Sequence, residues 1–202
     1  MKKIGVLLSG RGSNFQAIYQ AIKSGFIENA EISVVISDKV DAKGLKFAEE
    51  NGLNAVFVNP KEFASRINFD RKLIEILKSF KVDLICLAGF MRIISEEFVN
   101  AFENRILNIH PSLLPSFPGL NAQKQALEYG VKFTGCTVHF VDAKVDNGPI
   151  VLQAVVDIKD DDTVESLSER ILKQEHKIYP MAVKLFVEDK LRISGRRVSI
   201  LD

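Results

Sequence analysis

Between Ile106 and Pro149 the chain gathers most of the side chains that could do chemistry rather than packing. Asn108 and His110 interrupt a short apolar run of Ile106, Leu107 and Ile109 at a spacing of two, so on a strand their amide and imidazole leave the same face. Pro111 stops the strand directly after His110. The loop that follows is punctuated by Pro115, Pro118 and Gly119, and loops of this kind are where a rigid scaffold places reactive groups. Downstream, Asp142 and Asp146 bracket the exit of another apolar strand, where Asn147-Gly148-Pro149 forces a turn. An amide, an imidazole and a carboxylate could converge, a set that can donate hydrogen bonds to developing negative charge and carry a proton. By type alone these residues are also ordinary: histidines occur in cores, and Asp-x-x-x-Asp-Asn-Gly is a common loop composition. Two rival chemistries lack their patterns. Ser112 has no Gly-x-Ser-x-Gly elbow around it. His110, His139 and His176 lack the His-Glu-x-x-His spacing of a zinc site, and no metal is expected.

The elements that must hold this stretch alternate between two periodicities. Ile4 to Leu8 is a continuous apolar run rich in β-formers, followed by Ser9-Gly10-Arg11-Gly12-Ser13-Asn14 and then a helical pattern of Phe15, Ile18, Tyr19 and Ile22. Backbone N–H groups at that helix start, aided by the Ser13 hydroxyl and the helix dipole, suit a phosphate or carboxylate. The same residues are also plain punctuation, with Asn able to serve as an N-cap. The dinucleotide fingerprint fails at its third glycine, where Phe15 stands, although Asp38 after the second strand could imitate the ribose-binding acid. A monophosphate fits this turn better than a pyrophosphate.

Glu31 to Ser37, Ala55 to Val58 and Val82 to Ala88 read as further strands, separated by helical patterns over Ala42 to Glu50 and Lys61 to Phe80. Such alternation predicts βαβ units in a Rossmann-like, three-layer α/β fold, with a mostly parallel central sheet of about seven strands between helices. Ser95 should begin a helix that turns Phe98 and Phe102 inward. Ile150 to Ile158 reads as a long strand. A helix from Thr163 follows, with Asp162 and Glu165 as a capping box and Pro180 as a kink or stop. Leu191 to Ile193 and Val198 to Leu201 flank Ser194-Gly195 as a small terminal hairpin.

At 202 residues, the chain is expected to form a single domain, with halves of about 1–100 and 101–202. With 27 basic and 26 acidic residues the net charge is +1, which offers no electrostatic footprint for nucleic acid or an anionic membrane. Small molecules are the expected partners, and the expected state is a monomer or weak homodimer. Ile4 to Leu8 is too short for a secretory segment, and Cys86 and Cys136 lack framework spacing, which points to a reducing cytoplasm.

The string Leu107-Asn108-Ile109-His110-Pro111-Ser112-Leu113-Leu114-Pro115, with Asp146 in Asp-Asn-Gly-Pro, resembles the signature of the folate-dependent formyltransferases. Within that superfamily the chain is most similar to the phosphoribosylglycinamide formyltransferases of purine synthesis. The resemblance implies transfer of a formyl group from 10-formyltetrahydrofolate, as co-substrate, to the amine of glycinamide ribonucleotide. It implies Asn108 and His110 as hydrogen-bond donors to the formyl oxyanion and Asp146 as the carboxylate that favours a charged His110 and handles the proton. It implies that Gly12, Ser13 and Asn14 bind the ribonucleotide phosphate and that Glu175 meets the ribonucleotide. Folate would rest on Arg66, Met91, Arg92, Ile93, Ile94, Asn108 and Asp142, with the 91–94 backbone hydrogen-bonding the pterin. The chain departs from the usual pattern at Phe15 (Leu), Asn121 (His) and Asn147 (Gly or Thr); Asn147 is expected to keep the turn by adopting the left-handed conformation. The nearest rivals are another enzyme of the superfamily, such as a formyltetrahydrofolate hydrolase, and, from a different class, a nucleotide-binding module without chemistry.

Overall fold

In the computed structural model, which describes residues 1–202, the apolar run near the start of the chain is β1, Lys2–Leu8. It is followed by α1 (Ser13–Lys23), β2 (Ala30–Ser37), α2 (Lys43–Glu50) and β3 (Ala55–Phe57). After a 3-10 turn at Pro60–Glu62 come α3 (Arg66–Ser79), β4 (Leu84–Leu87), α4 (Glu96–Ala101) and β5 (Ile106–His110). The remainder is α5 (Ala122–Tyr129), β6 (Phe133–Phe140), β7 (Ile150–Asp157), α6 (Val164–Val187), β8 (Leu191–Ser194) and β9 (Arg197–Ile200). The chain divides into two compact units, Met1–Leu107 and Asn108–Asp202, so β5 begins in the first and ends in the second.

In the first unit the strands run β3-β2-β1-β4-β5, and β1 pairs in parallel with both β2 and β4. The central stretches of β1 and β4 are apolar, as expected where helices cover a parallel sheet: Ile4, Val6, Leu7 and Leu8 are fully buried, as are Leu84, Ile85 and Cys86. Burying each such side chain stabilises the fold by about 1.5–3 kcal/mol before chain entropy is set against it. Gly5 is the point of closest approach, since a Cβ there would lie 2.7 Å from Leu77 of α3. α4 starts at the Ser95 cap, and Phe98 and Phe102 are buried as their spacing requires.

In the second unit the order is β6-β7-β9-β8, with β6 antiparallel to β7. α6 packs on β6 and β7 through an inward stripe that includes Leu167, Ile171, Tyr179 and Val183. The sheet counts nine strands, not about seven. The terminal hairpin accounts for the difference: β9 pairs in parallel with β7 at Ile150↔Arg197, so the hairpin's strands extend the sheet. Of two local expectations for α6, the capping box is corrected, and of the kink or stop expected at Pro180 the stop is excluded. Its capping box uses Thr163 and Ser166, because the helix starts one residue later and makes Thr163 the N-cap, while Asp162 accepts from Ser166 Oγ and pairs with Arg170. Pro180 lies within the helix, which continues to Val187.

Candidate active site

The second unit brings the three side chains of the sequence motif together. β5 carries Asn108 and His110 on one face, and the turn after β6 carries Asp146, whose Oδ2 lies 3.4 Å from His110 Nδ1. That turn is built for the purpose. Asp142 accepts from Lys144 N–H at 2.9 Å through Oδ1 and from Asn147 Nδ2 at 2.8 Å through Oδ2. Gly148 is obligatory, since a Cβ there would lie 1.8 Å from the Phe140 carbonyl oxygen. The left-handed residue is Asp146 itself, at φ 49, rather than Asn147. A short polar side chain tolerates that conformation, and the strain turns the carboxylate back toward the histidines.

A second histidine completes the cluster. His139 on β6 is buried, its Nδ1 faces the Phe140 carbonyl at 2.9 Å, and its Nε2 faces Asn108 Nδ2 at 3.2 Å. Burial holds its pKa below the ordinary 6.5, outweighing the carbonyl and the charge of Asp146, so the neutral ring is favoured. The geometry then assigns one tautomer: Nδ1–H donates to Phe140, and bare Nε2 accepts one N–H of Asn108. This fixes the Asn108 amide and leaves its second N–H for a substrate oxygen.

The loop after β5 folds over the same groups. Thr137 Oγ1 donates to the Ser112 carbonyl and accepts from Leu114 N–H, which seats the loop on β6. Ser112 is fully buried and donates to the Ser116 carbonyl at 2.6 Å, an anchoring role with no access for nucleophilic attack. Further along, the Phe117 carbonyl sits 2.9 Å from His110 Nε2, and Gly119 N–H donates to Asp146 Oδ2 at 2.8 Å. His110 therefore lies between two acceptors, Phe117 and Asp146, and can donate to both at once only in its charged form. A substrate oxygen that takes a proton or hydrogen bond from Nε2 must replace the Phe117 carbonyl.

Most of the residues expected to bind substrate lie in the first unit. Gly12 is the N-cap of α1 at φ 69, with no side-chain cap, and a Cβ on it would lie 3.0 Å from Gly44 Cα. Asn14, expected as a possible cap, is instead a buried residue of the first turn. The turn of Ser9 to Asn14 lines a cavity of about 270 Å³ together with Ala88, Gly89 and Met91. A hollow of similar size at Lys3, Glu31, Ser33 and Asn54 holds none of the candidate residues. Met91 and Ile93 are 70% and 59% exposed, apolar surface of the kind that forms one wall of a slot. Met91 N–H is already bonded to Ser9 Oγ at 2.9 Å. Arg92 turns its guanidinium over the Phe69 ring at 4.9 Å and toward buried Asp38 at 3.9 Å, so its side chain braces the segment. Arg66 is exposed at the first position of α3. In the second unit Glu175 is buried on α6, and its charge adds to the burial that pushes the Cys136 thiol up to about 12. No three His, Cys, Asp and Glu side chains form a group that could hold a metal ion.

The sequence profile of the formyl transferase family matches residues 2–183. The chain belongs to that family. Among curated relatives, the phosphoribosylglycinamide formyltransferase of Haemophilus influenzae is 47% identical over 194 residues, covering 96% of this chain and 91% of that one. A trifunctional purine biosynthetic protein, adenosine-3, of Gallus gallus is also 47% identical over 191 residues, but the chain spans only 19% of its length. Among solved structures, glycinamide ribonucleotide transformylase 1 of Symbiobacterium toebii superposes with a TM-score of 0.98 at 56% identity, covering all of this chain and 95% of that one.

For a formyl transferase, the informative additions are His139, Ser9 and the Phe117 carbonyl, which the motif alone did not reveal. His139 had one available signal: in Val138-His139-Phe140 it is a lone polar ring in a strand otherwise bound for the core. No helix is long and apolar enough to cross a membrane.

Proposed function

We propose that this formyl transferase moves the formyl group of 10-formyltetrahydrofolate to the amine of glycinamide ribonucleotide, releasing formylglycinamide ribonucleotide and tetrahydrofolate. The observation that carries the reading is the convergence of Asn108, His110 and Asp146, because formyl transfer to an amine needs oxyanion donors and a proton carrier and needs no protein nucleophile. The amine nitrogen attacks the formyl carbon. Negative charge develops on the formyl oxygen, which receives the free N–H of Asn108 and the Nε2–H of His110 once Phe117 has yielded. Asp146, 3.4 Å from His110 Nδ1, takes the proton lost by the amine, directly or through water. That proton goes to the folate nitrogen as its bond to the formyl carbon breaks.

In this reading Gly12, Ser13 and Asn14 bind the ribonucleotide phosphate with the uncapped N-terminus of α1, and buried Glu175 meets the same substrate. The backbone of Met91 to Ile94 holds the pterin between its apolar side chains, with Arg66, Asn108 and Asp142 completing the folate contacts. One domain of 202 residues acting as a monomer or weak dimer in the cytoplasm, on small molecules and without a metal, fits the composition and charge. The test is a spectrophotometric assay with glycinamide ribonucleotide and a 10-formylfolate. Ribonucleotide-dependent release of deformylated folate without added metal is expected; release at the same rate without the ribonucleotide would mean a hydrolase.

A further inference from the structure

The two binding segments of the first unit grow from adjacent strands. β1 and β4 pair from Ile4↔Leu84 to Leu7↔Leu87, and Ala88 N–H continues the ladder to the Leu7 carbonyl at 2.9 Å. Past their C-terminal ends, β1 becomes the turn at 9–14 and β4 the segment at 89–94. β2 and β3 lie on one side of β1, while β4 and β5 lie on the other, so the strand order reverses here, where open α/β sheets form their ligand crevice.

Ser9 ties these extensions together twice. Its N–H donates to the Gly89 carbonyl at 3.0 Å, and its Oγ accepts Met91 N–H at 2.9 Å across 82 positions of sequence. Between those two contacts Gly89 sits at φ 78 with open space where a Cβ would be, so the segment leaves β4 at its most permissive residue. The far end is held differently: Ser95 N–H donates to the buried Asp70 carboxylate at 2.5 Å, and Arg92 packs on Phe69. What fixes the near end is thus a hydroxyl belonging to the other segment.

Resting on the substrate assignment above, we propose that Ser9 is a positioning residue that couples the two substrates. A phosphate seated on the turn at 9–14 immobilises Ser9, and Ser9 Oγ then fixes Met91 N–H and the backbone on which the pterin rests. A hydroxyl both accepts and donates, and a phosphate oxygen that accepts a hydrogen bond from the Ser9 O–H makes Oγ a better acceptor for Met91. Each ligand therefore binds more tightly in the presence of the other, by the same factor in both directions. One ordinary hydrogen bond sets that factor at roughly three- to tenfold.

The experiment is calorimetric titration of the full chain with tetrahydrofolate, which has no formyl group to transfer, with and without saturating glycinamide ribonucleotide. Wild type should bind tetrahydrofolate roughly three- to tenfold tighter with the ribonucleotide present. Ser9→Ala should reduce the ratio to about one, and Ser9→Thr should restore it. A side chain with only a structural role would weaken each ligand alone and leave the ratio unchanged. Independent of any variant, ribonucleotide alone should slow hydrogen exchange at the Met91 amide of wild type. An unchanged ratio in Ser9→Ala, no coupling in a wild type that binds both ligands, or an unaltered Met91 exchange rate overturns the coupling and leaves the substrate assignment standing. A wild type that binds neither ligand takes both down.

Discussion

In the proposed reaction the first unit would recognise with its backbone, whereas the second would react with its side chains. At the start of α1 the groups offered are N–H donors exposed by a glycine at φ 69, and at 91–94 the groups proposed to meet the pterin are again main-chain ones. In the second unit they are an amide, two imidazoles and a carboxylate, each oriented by another: His139 holds Asn108, Asp146 faces His110, and Asp142 with Asn147 holds the turn beneath Asp146. A backbone site depends on conformation and is damaged by adding atoms. A side-chain cluster depends on mutual orientation and is damaged by removing them.

The largest effect should come from the cluster. His110→Ala and Asp146→Ala should each lower the turnover number by roughly a hundredfold or more, as expected when a proton carrier or oxyanion donor is lost. The double variant should be little worse than the poorer single one, because groups that act as a unit lose function non-additively. Folate binding should persist in all three. Losses that multiply in the double variant would mean that the two residues work independently, and the contrast between units would lose its basis.

The backbone site should fail through affinity. Gly12→Val places a β-branched side chain at positive φ and against Gly44, a strain of about 1–2 kcal/mol. The Michaelis constant for the ribonucleotide should rise about tenfold or more, and that for the folate far less. An unchanged ribonucleotide constant would move the phosphate elsewhere. A smaller effect sharpens the other side of the comparison: His139→Leu removes the acceptor that orients Asn108, and should cost roughly a threefold to tenfold loss in turnover. The Michaelis constant for the ribonucleotide should hardly change, and His139→Gln, which keeps an acceptor, should recover part of the loss.

The smallest effect concerns stability against pH. Because burial lowers the His139 pKa from 6.5, the unfolded chain binds a proton over a window in which the folded chain does not. Folded stability therefore rises with pH through that window and falls as pH drops below 6.5. Denaturant titrations should show a shallower acid-side decline for His139→Gln than for wild type. Equal slopes would mean that folding leaves the His139 pKa unchanged, and a steeper decline for His139→Gln would mean that the ring is charged in the folded protein and that Asn108 faces it through its oxygen.

Legibility follows the same division. The spacing of two between Asn108 and His110 and the turn composition at Asp146 could be read locally, since strand alternation and turn chemistry are properties of neighbours. The glycine-rich turn into α1 is legible for the same reason, although the cap is Gly12 rather than Asn14. His139 was not readable as a partner of Asn108, because nothing in the sequence reports that β5 and β6 present those two atoms 3.2 Å apart. The left-handed residue was misplaced by one position, since both Asp and Asn tolerate that conformation and only the path of the turn decides between them. The hairpin's membership of the sheet rests on a pairing between Ile150 and Arg197, a long-range choice that local propensity does not encode.

That hairpin bears on the order in which the protein matures during synthesis. Arg196, in the turn between β8 and β9, donates Nη2–H to the Asn147 carbonyl at 2.7 Å, 49 positions away from the residue it braces and next to Asp146. The first unit is complete in sequence at Leu107, well before this bond can form. A growing chain emerges N-terminus first, so the turns proposed to bind substrate can fold while the ribosome is still adding the residues that steady the Asp146 carboxylate. Competence to bind would then precede competence to react within the life of each nascent molecule.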